Sequence, residues 1–398
     1  MPDRPNIADF DVSARTRLVH GAGCVDRLGV IAREVGCSSV LLVTMPELAE
    51  AGHVDRAVKA LAGEGVSATI FDGVRQNPTS ADVETCAAAA REAGVDGFVG
   101  LGGGSAIDTA RGANFIRTNG GRMQDYRGYG KAREPMMPLI AVPTTAGTGS
   151  ECQSYALISD AETHEKMACG DPKAAAVVAV LDPMLTVTAP REVTAASGFD
   201  AVSHAVESAV TKTRNAMSTL YAREAFRLGV RALPRTLSKP DDLEARADMQ
   251  IAAAFAGMAI EASMLGAAHA AANPLTASFD VVHGHAVALM LPHVVRFNSE
   301  DPDVAIAYRD LMAGAGLVDA DADPEMASIA LADTLVALRE EGELPSSIAR
   351  CGVTDTDLGA LAQAASMQWT GQHNPRPVAA EDFVALYGAS ISQGELAS

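Results

Sequence analysis

The first 144 or so residues alternate short apolar runs with helical periodicity, and this alternation constrains the fold more than any other feature. The apolar runs have the length and β-branched content of buried strands, as in SSVLLVT and MPLIAVPT. The pattern predicts βαβ units around a parallel sheet, with right-handed crossovers and ligands at the carboxyl ends of the strands. Predicted strands are 38–44, 66–71, 96–102 and 137–144, and predicted helices are 47–65, 80–94 and Ser105 to about Arg117.

The chain after about residue 198 shows helical periodicity almost throughout, so a helical second half is predicted. TAPREVTAASG at 188–198 is interpreted as the passage between the halves. At 398 residues the chain is too long for one ordinary domain, and two domains are expected. Breaks between helices are predicted at prolines: Pro234, Pro240, Pro274, Pro292, Pro302 and Pro324.

Composition excludes several functions. The formal charge is −19, which argues against nucleic-acid binding and against an anionic membrane surface. No long uncharged apolar run or signal peptide is recognised, so neither a membrane span nor a leader is expected. Six scattered cysteines without a C-x-x-C pair favour a reduced, cytoplasmic protein.

One carboxylate and three imidazoles in the second half suggest a catalytic metal site. Asp200 and His204 are four residues apart in GFDAVSHAVES, so on a helix they share one face. His269 follows a long alanine-rich run that is interpreted as a buried helix, and His283 comes beyond Pro274, where that helix should end. Any one of these histidines alone could be a core or capping residue. The set of four suits Fe(II) or Zn(II) and can leave a position open for substrate.

Two loops after predicted strands are candidates for binding a nucleotide. GGGSAIDTAR at 102–111 combines three glycines, which allow close approach of a phosphate, with Ser105 as a predicted helix cap. PTTAGTGSE at 143–151 is rich in hydroxyls that can bond ribose or phosphate. Each could be an ordinary turn, but two such loops at neighbouring strand ends make a dinucleotide site more plausible.

The chain resembles the iron-containing (group III) alcohol dehydrogenase family. The matching motifs run in the family's order over nearly the whole chain, with the last hundred residues the least diagnostic. They are FDGVRQNPT at 71–79, GLGGGSAIDTAR at 100–111, AVPTTAGTGSE at 141–151, LDPMLT at 181–186, GFDAVSHAVES at 198–208, the segments around His269 and His283, and LMLPHVVRFN at 289–298.

The resemblance implies a Rossmann-like nucleotide-binding α/β domain over 1–190 and an all-helical metal-binding and substrate domain over 191–398. It implies Fe(II), or in some members Zn(II), held by Asp200, His204, His269 and His283. The implied pyrophosphate and nicotinamide contacts are Gly102, Gly103, Gly104, Ser105 and Asp108. The implied adenine and phosphate contacts are Thr144, Thr145 and Thr148, with Lys166 on the ribose and Asn77 close to the cofactor.

Two positions depart from the family pattern. Many members carry an acidic residue after the first strand, where it bonds the ribose; here Met45 follows Val43-Thr44, which leaves NAD and NADP both open. Many members also have a second histidine, a suggested proton relay, where this chain has Asn273. Asn273 cannot titrate near neutral pH. His285 could take its place if 283–285 is strand-like, whereas a helical turn would swing it away from His283.

The implied function is hydride transfer between NAD(P) and a small alcohol or aldehyde, with the metal stabilising negative charge on the substrate oxygen. A homodimer is a family expectation. Three alternatives stay open: a redox-neutral lyase resembling dehydroquinate synthase, polyol oxidation like that of glycerol dehydrogenase, and non-catalytic nucleotide binding. The dehydrogenase-type glycine and threonine loops argue against the first, and the four retained ligand positions argue against the last.

Overall fold

The computed structural model describes residues 10–13 and 15–392. The chain divides into two compact units, one formed by Ser13–Ala189 and the other by residues 10–12 and the chain from Pro190 onward. Among the described residues every strand lies in the first unit, and the second is built from helices and short turns. The predicted fold class, a parallel α/β unit with a helical one, is therefore confirmed.

A six-stranded parallel sheet, in the order β1-β9-β6-β4-β2-β3, is the framework of the first unit. Four of its strands are the apolar runs predicted from the sequence. A second sheet has the order β5-β8-β7. The strands are β1 (Arg17–His20), β2 (Ser39–Val43), β3 (Ser67–Phe71), β4 (Gly97–Gly102), β5 (Gly128–Tyr129), β6 (Leu139–Pro143), β7 (Tyr155–Ser159), β8 (Lys166–Gly170) and β9 (Val178–Leu181).

The four inner strands of the large sheet, β9, β6, β4 and β2, are buried on both faces, which explains why they are apolar runs without alternation, whereas the edge strands β1 and β3 are largely exposed. Successive residues of β2 enter opposite cores: Leu41 packs into one cluster and Leu42 into the other. Gly52 at φ 79° divides the predicted helix 47–65 into two. The helices of this unit are α1 (Leu28–Glu34), α2 (Pro46–Glu50), α3 (His53–Gly63), α4 (Ser80–Glu92) and α5 (Gly104–Asn119).

Prolines end fewer helices of the second unit than expected. Pro234, Pro274 and Pro292 lie inside helices, so three of the six predicted breaks are wrong. Pro274 lacks the N–H that would bond Ala270 O, and in the same turn of the helix the Tyr387 hydroxyl donates to the neighbouring carbonyl, Ala271 O, at 2.7 Å. The helices are α6 (Arg191–Ser208), α7 (Ala216–Ser238), α8 (Leu243–Ser263), α9 (Ala267–Phe279), α10 (His283–Asn298), α11 (Pro302–Gly314), α12 (Pro324–Glu341), α13 (Leu358–Ser366) and α14 (Ala380–Ser392).

The alanine-rich run before His269 is not one helix but two, α8 and α9, which meet at a bend of 106°. Met264 stands at the break with φ 72°, a left-handed conformation that a continuing helix does not contain. In residues 10–392, no single helix is long and apolar enough to span a membrane, and only this bent pair passes when both members are counted together. The bend is what directs the first turn of α9 toward α6.

Candidate functional site

Helix α6 provides the first two predicted metal ligands. Asp200 and His204 lie one turn apart on its buried face, and His204 Nε2 is 3.3 Å from Asp200 Oδ1. The spacing of four residues therefore places both side chains as the sequence predicts.

The other two histidines come from different helices and face the same carboxylate oxygen. His269, near the start of α9, has its Nε2 3.5 Å from Asp200 Oδ1, and His283, the first residue of α10, has its Nε2 3.9 Å from it. Gly284 permits this approach, because a Cβ there would clash with the backbone carbonyl of Ala196 on α6. We name these four side chains the ligand cluster: Asp200, His204, His269 and His283.

The ligand cluster has the chemistry of a cation site. Ligand atoms of Asp200, His269 and His283 all lie within 4.8 Å of one another. Asp200 Oδ1 and His269 Nε2 are buried and have no hydrogen-bond partner, which is costly unless a cation binds there. Burial opposes the charge on Asp200, but the surrounding histidines outweigh it and hold the pKa of its carboxyl well below the usual range. The three nitrogens and one oxygen fit Fe(II) or Zn(II).

Glu207 is a buried carboxylate beside the cluster that the sequence analysis did not single out. It follows His204 by three residues on α6, and its Oε2 forms a short hydrogen bond with His269 Nδ1. Burial lowers the pKa of His269, but the carboxylates of Glu207 and Asp200 raise it to about 9. The available signal was its spacing, which puts it on the same helix face as the two ligands.

The two relay candidates have different surroundings. Asn273 lies one turn after His269 on α9, and its Nδ2 donates to Gln368 Oε1 at 3.0 Å. His285 lies in the first turn of α10, so it points about 200° around the helix from His283. Burial lowers its pKa, and Glu192 acts in the opposite direction. Because residues 283–285 are helical, His285 points away from His283, and this arrangement does not favour His285 as a proton relay.

The predicted nucleotide loops follow the carboxyl ends of β4 and β6, which are neighbouring inner strands of the large sheet. The chain proceeds from β2 to β3 in one direction across the sheet and from β4 to β6 in the other, so the order reverses between β2 and β4. Ligands of doubly wound sheets bind at such a switch point, beyond the carboxyl ends of the strands. The glycine loop leaves β4 there, and Thr144 N donates to Gly102 O at 3.0 Å, which joins it to the threonine loop after β6.

The threonine loop packs so closely against the glycine loop that side chains at Gly103 and Gly104 would collide with it. An added Cβ on Gly103 would lie 3.3 Å from Thr145 Oγ1, and one on Gly104 would lie 2.8 Å from Thr148 Cγ2. Helix α5 begins at Gly104 with Gly103 as its N-cap and no capping side chain, so the prediction that Ser105 caps this helix is wrong. The first N–H groups of α5 are thereby left available for a phosphate.

Asp108, which the family resemblance implies as a coenzyme contact, is buried, and both of its carboxylate oxygens accept hydrogen bonds within the protein. Its Oδ1 accepts from Arg111 Nη1 at 2.8 Å, and its Oδ2 accepts from Leu157 N at 3.2 Å. The fully buried Arg111 also donates to the carbonyl oxygens of Tyr155 and Ser150. These bonds tie α5 to the end of the threonine loop, which gives Asp108 a structural role in this site.

Glu151, at the end of the threonine loop, should make stability depend on pH. Burial raises the pKa of its carboxyl to about 7, and Asp108 adds to the shift while Arg111 opposes it. The folded state therefore binds more protons than the unfolded state between about pH 4.5 and 7, so unfolding free energy falls as pH rises through that window. Glu151→Gln should remove on the order of 2 kcal/mol of this dependence. Thermal unfolding followed by circular dichroism from pH 5 to 8 measures it, with the exposed Glu50→Gln as control; equal slopes for wild type and Glu151→Gln would contradict it.

Lys166 and Asn77 lie in neighbouring segments. Lys166 begins β8 and pairs with Ser159 of β7, whose backbone N–H donates to Pro78 O at 2.9 Å. Asn77 precedes that proline with φ 53°, a conformation that asparagine tolerates better than most residues. These two contacts place the segment that contains Asn77 beside the start of β8, where Lys166 lies.

Both halves of the chain match models of one protein family. Residues 15–183 match iron-containing alcohol dehydrogenase, and residues 194–391 match the C-terminal part of the Fe-containing alcohol dehydrogenase family. The chain belongs to the iron-containing alcohol dehydrogenase family. It is therefore an oxidoreductase that acts on alcohols. Enzymes of this family use NAD(H) and a divalent metal, and the ligand cluster is a candidate site for that metal.

Individual relatives agree with this membership. Alcohol dehydrogenase 4 of Schizosaccharomyces pombe is 32% identical, over 93% of this chain and 86% of the relative. The NAD-dependent methanol dehydrogenase of Bacillus methanolicus is 32% identical, over 92% of this chain and 96% of the relative. A solved 1,3-propanediol oxidoreductase superposes with a TM-score of 0.93 at 30% identity, over 96% of this chain and 100% of the other. These matches favour the dehydrogenase over the lyase alternative.

Proposed function

We propose that the ligand cluster binds divalent iron and that the enzyme uses it to interconvert small alcohols and aldehydes with a nicotinamide coenzyme. The observation that carries the proposal is the convergence of three imidazole nitrogens on one buried oxygen of Asp200. Zinc accepts the same ligands, so metal analysis of the purified protein decides between the two ions. The test of function is whether coenzyme consumption depends on the added metal.

The bound ion would act as a Lewis acid on the substrate oxygen, and the nicotinamide would accept or donate the hydride. The chain's own contribution is to hold the ligands in place and to orient the substrate. Asn273 is on the face of α9 that carries His269, and Gln368 accepts from its amide, which fixes its orientation. We infer that Asn273 orients substrate or water by hydrogen bonding, since an amide cannot carry the proton.

For the coenzyme, we propose that the loops after β4 and β6 hold the pyrophosphate and that this enzyme accepts NADP(H) as well as NAD(H). Met45 carries no carboxylate that would repel a 2′-phosphate. Val74 N donates to Thr44 O at 3.4 Å, which places the chain after β3 beside the Met45 corner. The next residue, Arg75, has an 80% exposed side chain whose closest ion pair is a 3.6 Å contact with Asp82. Its guanidinium is therefore available to a phosphate. The implied coenzyme residues are Asn77, Gly102, Gly103, Gly104, Ser105, Asp108, Thr144, Thr145, Thr148 and Lys166.

Met45→Asp should shift the coenzyme preference toward NADH. The new carboxylate would bond the ribose hydroxyls of NADH and repel the 2′-phosphate of NADPH. We expect the ratio of kcat/KM for NADPH to that for NADH to fall about tenfold or more, equivalent to about 1.4 kcal/mol. Steady-state kinetics with both coenzymes measures the ratio. Met45→Asn is the matched neutral control, and a ratio that is the same in Met45→Asp and wild type would refute the assignment of this corner.

We also propose that the enzyme works on short-chain substrates, as a homodimer in the cytoplasm. The names of the methanol and 1,3-propanediol relatives support small alcohols as substrates.

All six cysteines are free thiols, which supports a reducing compartment. Sedimentation velocity of the metal-loaded protein tests the dimer.

A further inference from the structure

Glu207 shares helix α6 with two residues of the ligand cluster, and its side chain contacts the start of helix α9. It lies on α6 seven residues after Asp200 and three after His204, and its side chain is only 4% exposed. A carboxylate buried to this extent is expensive unless its oxygens accept hydrogen bonds. Its two oxygens do so, and both partners belong to the first turn of α9.

Each oxygen of Glu207 has a separate task. Oε1 accepts from Ala268 N at 2.8 Å, while Oε2 forms the short hydrogen bond with Nδ1 of His269. One carboxylate therefore contacts both the backbone and the side chain at the beginning of α9. The ring of His269 then has its other nitrogen, Nε2, 3.5 Å from Asp200 Oδ1.

The rest of that helix end is held independently of the imidazole. Helix α9 has no capping side chain of its own at Gly266, and Asn374 Oδ1 accepts from Ala267 N at 3.1 Å. Asn374 also exchanges hydrogen bonds with Asn298, at 2.8 and 3.1 Å. A Cβ on Gly266 would lie 2.9 Å from Asn374 Oδ1 and 3.0 Å from Glu207 Oε1, so glycine is what both caps require.

We propose that Glu207 is a positioning residue for the metal centre: it fixes the ring orientation and tautomer of His269 so that Nε2 presents its lone pair to the ion. An imidazole that donates its Nδ1 proton to a carboxylate has its lone pair on Nε2, and the carboxylate also makes that nitrogen a stronger ligand. The inference rests on the proposed function, since it needs His269 to bind the metal. Removal of such an outer partner typically costs about 10–100-fold in metal affinity.

The test compares Glu207→Ala and Glu207→Gln with Asn374→Ala, which removes a cap of the same helix end without touching His269. Competition with a chromophoric chelator gives the affinity for Co(II), and the visible absorption of the Co(II) protein reports the ligand geometry. We expect Glu207→Ala to bind Co(II) about 10–100-fold more weakly, with an altered spectrum. Asn374→Ala should melt at a lower temperature with the wild-type spectrum. Glu207→Gln, whose amide oxygen can still accept the Nδ1 proton, should recover part of the affinity.

Two results would overturn the inference: wild-type affinity and spectrum in Glu207→Ala, or equal losses in Glu207→Ala and Asn374→Ala, which would make Glu207 a helix cap only. If Glu207→Ala does not fold, Glu207→Leu decides, because its side chain fills the space without accepting a hydrogen bond, and an affinity within twofold of wild type with an unchanged spectrum would refute the role. Failure of the proposed function looks different. In that case wild type itself binds no Co(II), or His269→Ala binds it as well as wild type.

Discussion

Replacing Asp200 with asparagine is expected to abolish tight metal binding and to lower kcat/KM by about a thousandfold. The substitution keeps the shape of the side chain but removes the charge on the oxygen that faces the imidazoles of His204, His269 and His283. A metal acting as a Lewis acid contributes several kcal/mol to the transition state, and about 4 kcal/mol corresponds to about a thousandfold in rate.

The measurement is metal stoichiometry by mass spectrometry together with steady-state kinetics on the same samples. Asp333→Asn is the matched control, because Asp333 is an exposed residue on α12 whose partner is Arg296. Surface ion pairs of this kind contribute little, so that variant should retain its metal and activity. A metal-replete, active Asp200→Asn enzyme would remove Asp200 from the ligand cluster.

Gly104→Ala is expected to weaken coenzyme binding by about tenfold or more while leaving metal binding unchanged. The added Cβ would lie 2.8 Å from Cγ2 and 2.9 Å from Oγ1 of Thr148, a short branched side chain that cannot swing away. The threonine loop must therefore move away from the start of α5. Overpacking of this kind costs about 1–3 kcal/mol, and about 1.4 kcal/mol of it expressed in binding is a factor of ten.

Fluorescence titration with NADH measures this effect, and Gly63→Ala provides the same substitution where no atom lies within 4 Å of the new Cβ. Gly63 ends helix α3, where alanine is the better helix former. The control should bind NADH as wild type does. Equal NADH affinity in Gly104→Ala and wild type would show that the two loops do not form the coenzyme site together.

Local pattern was sufficient for much of the fold. Short apolar, β-branched runs that alternate with helical segments indicated the strands, and β2, β3, β4 and β6 were predicted within two residues at each end. Errors arose where tertiary contacts decide. Pro274 lies inside α9, where Tyr387, more than a hundred residues away in sequence, donates to the carbonyl of Ala271.

In the candidate site, too, local spacing predicted some features, while others depend on tertiary contacts. Spacing placed Asp200 and His204 on one helix face, but the function of Glu207 depends on α9 packing against α6, with a partner 62 residues away. The relay role of His285 depended on whether residues 283–285 form a strand or a helix, and the sequence at the start of α10 did not decide between them. The family resemblance implied Asp108 as a coenzyme contact, and that assignment stays a prediction; its hydrogen bond with the buried guanidinium of Arg111 depends on tertiary packing that the sequence did not indicate.

The central claim is metal-dependent hydride transfer, and coenzyme consumption tests it most directly. The protein would be purified without oxygen, loaded with Fe(II) or Zn(II), and supplied with NADH and NADPH separately against short aldehydes and ketones. A chelated sample and His269→Ala serve as controls. We predict net oxidation of the coenzyme that requires metal and is lost in both controls. No consumption with any substrate, from a protein shown to hold metal and nucleotide, would contradict the claim and favour a redox-neutral reaction.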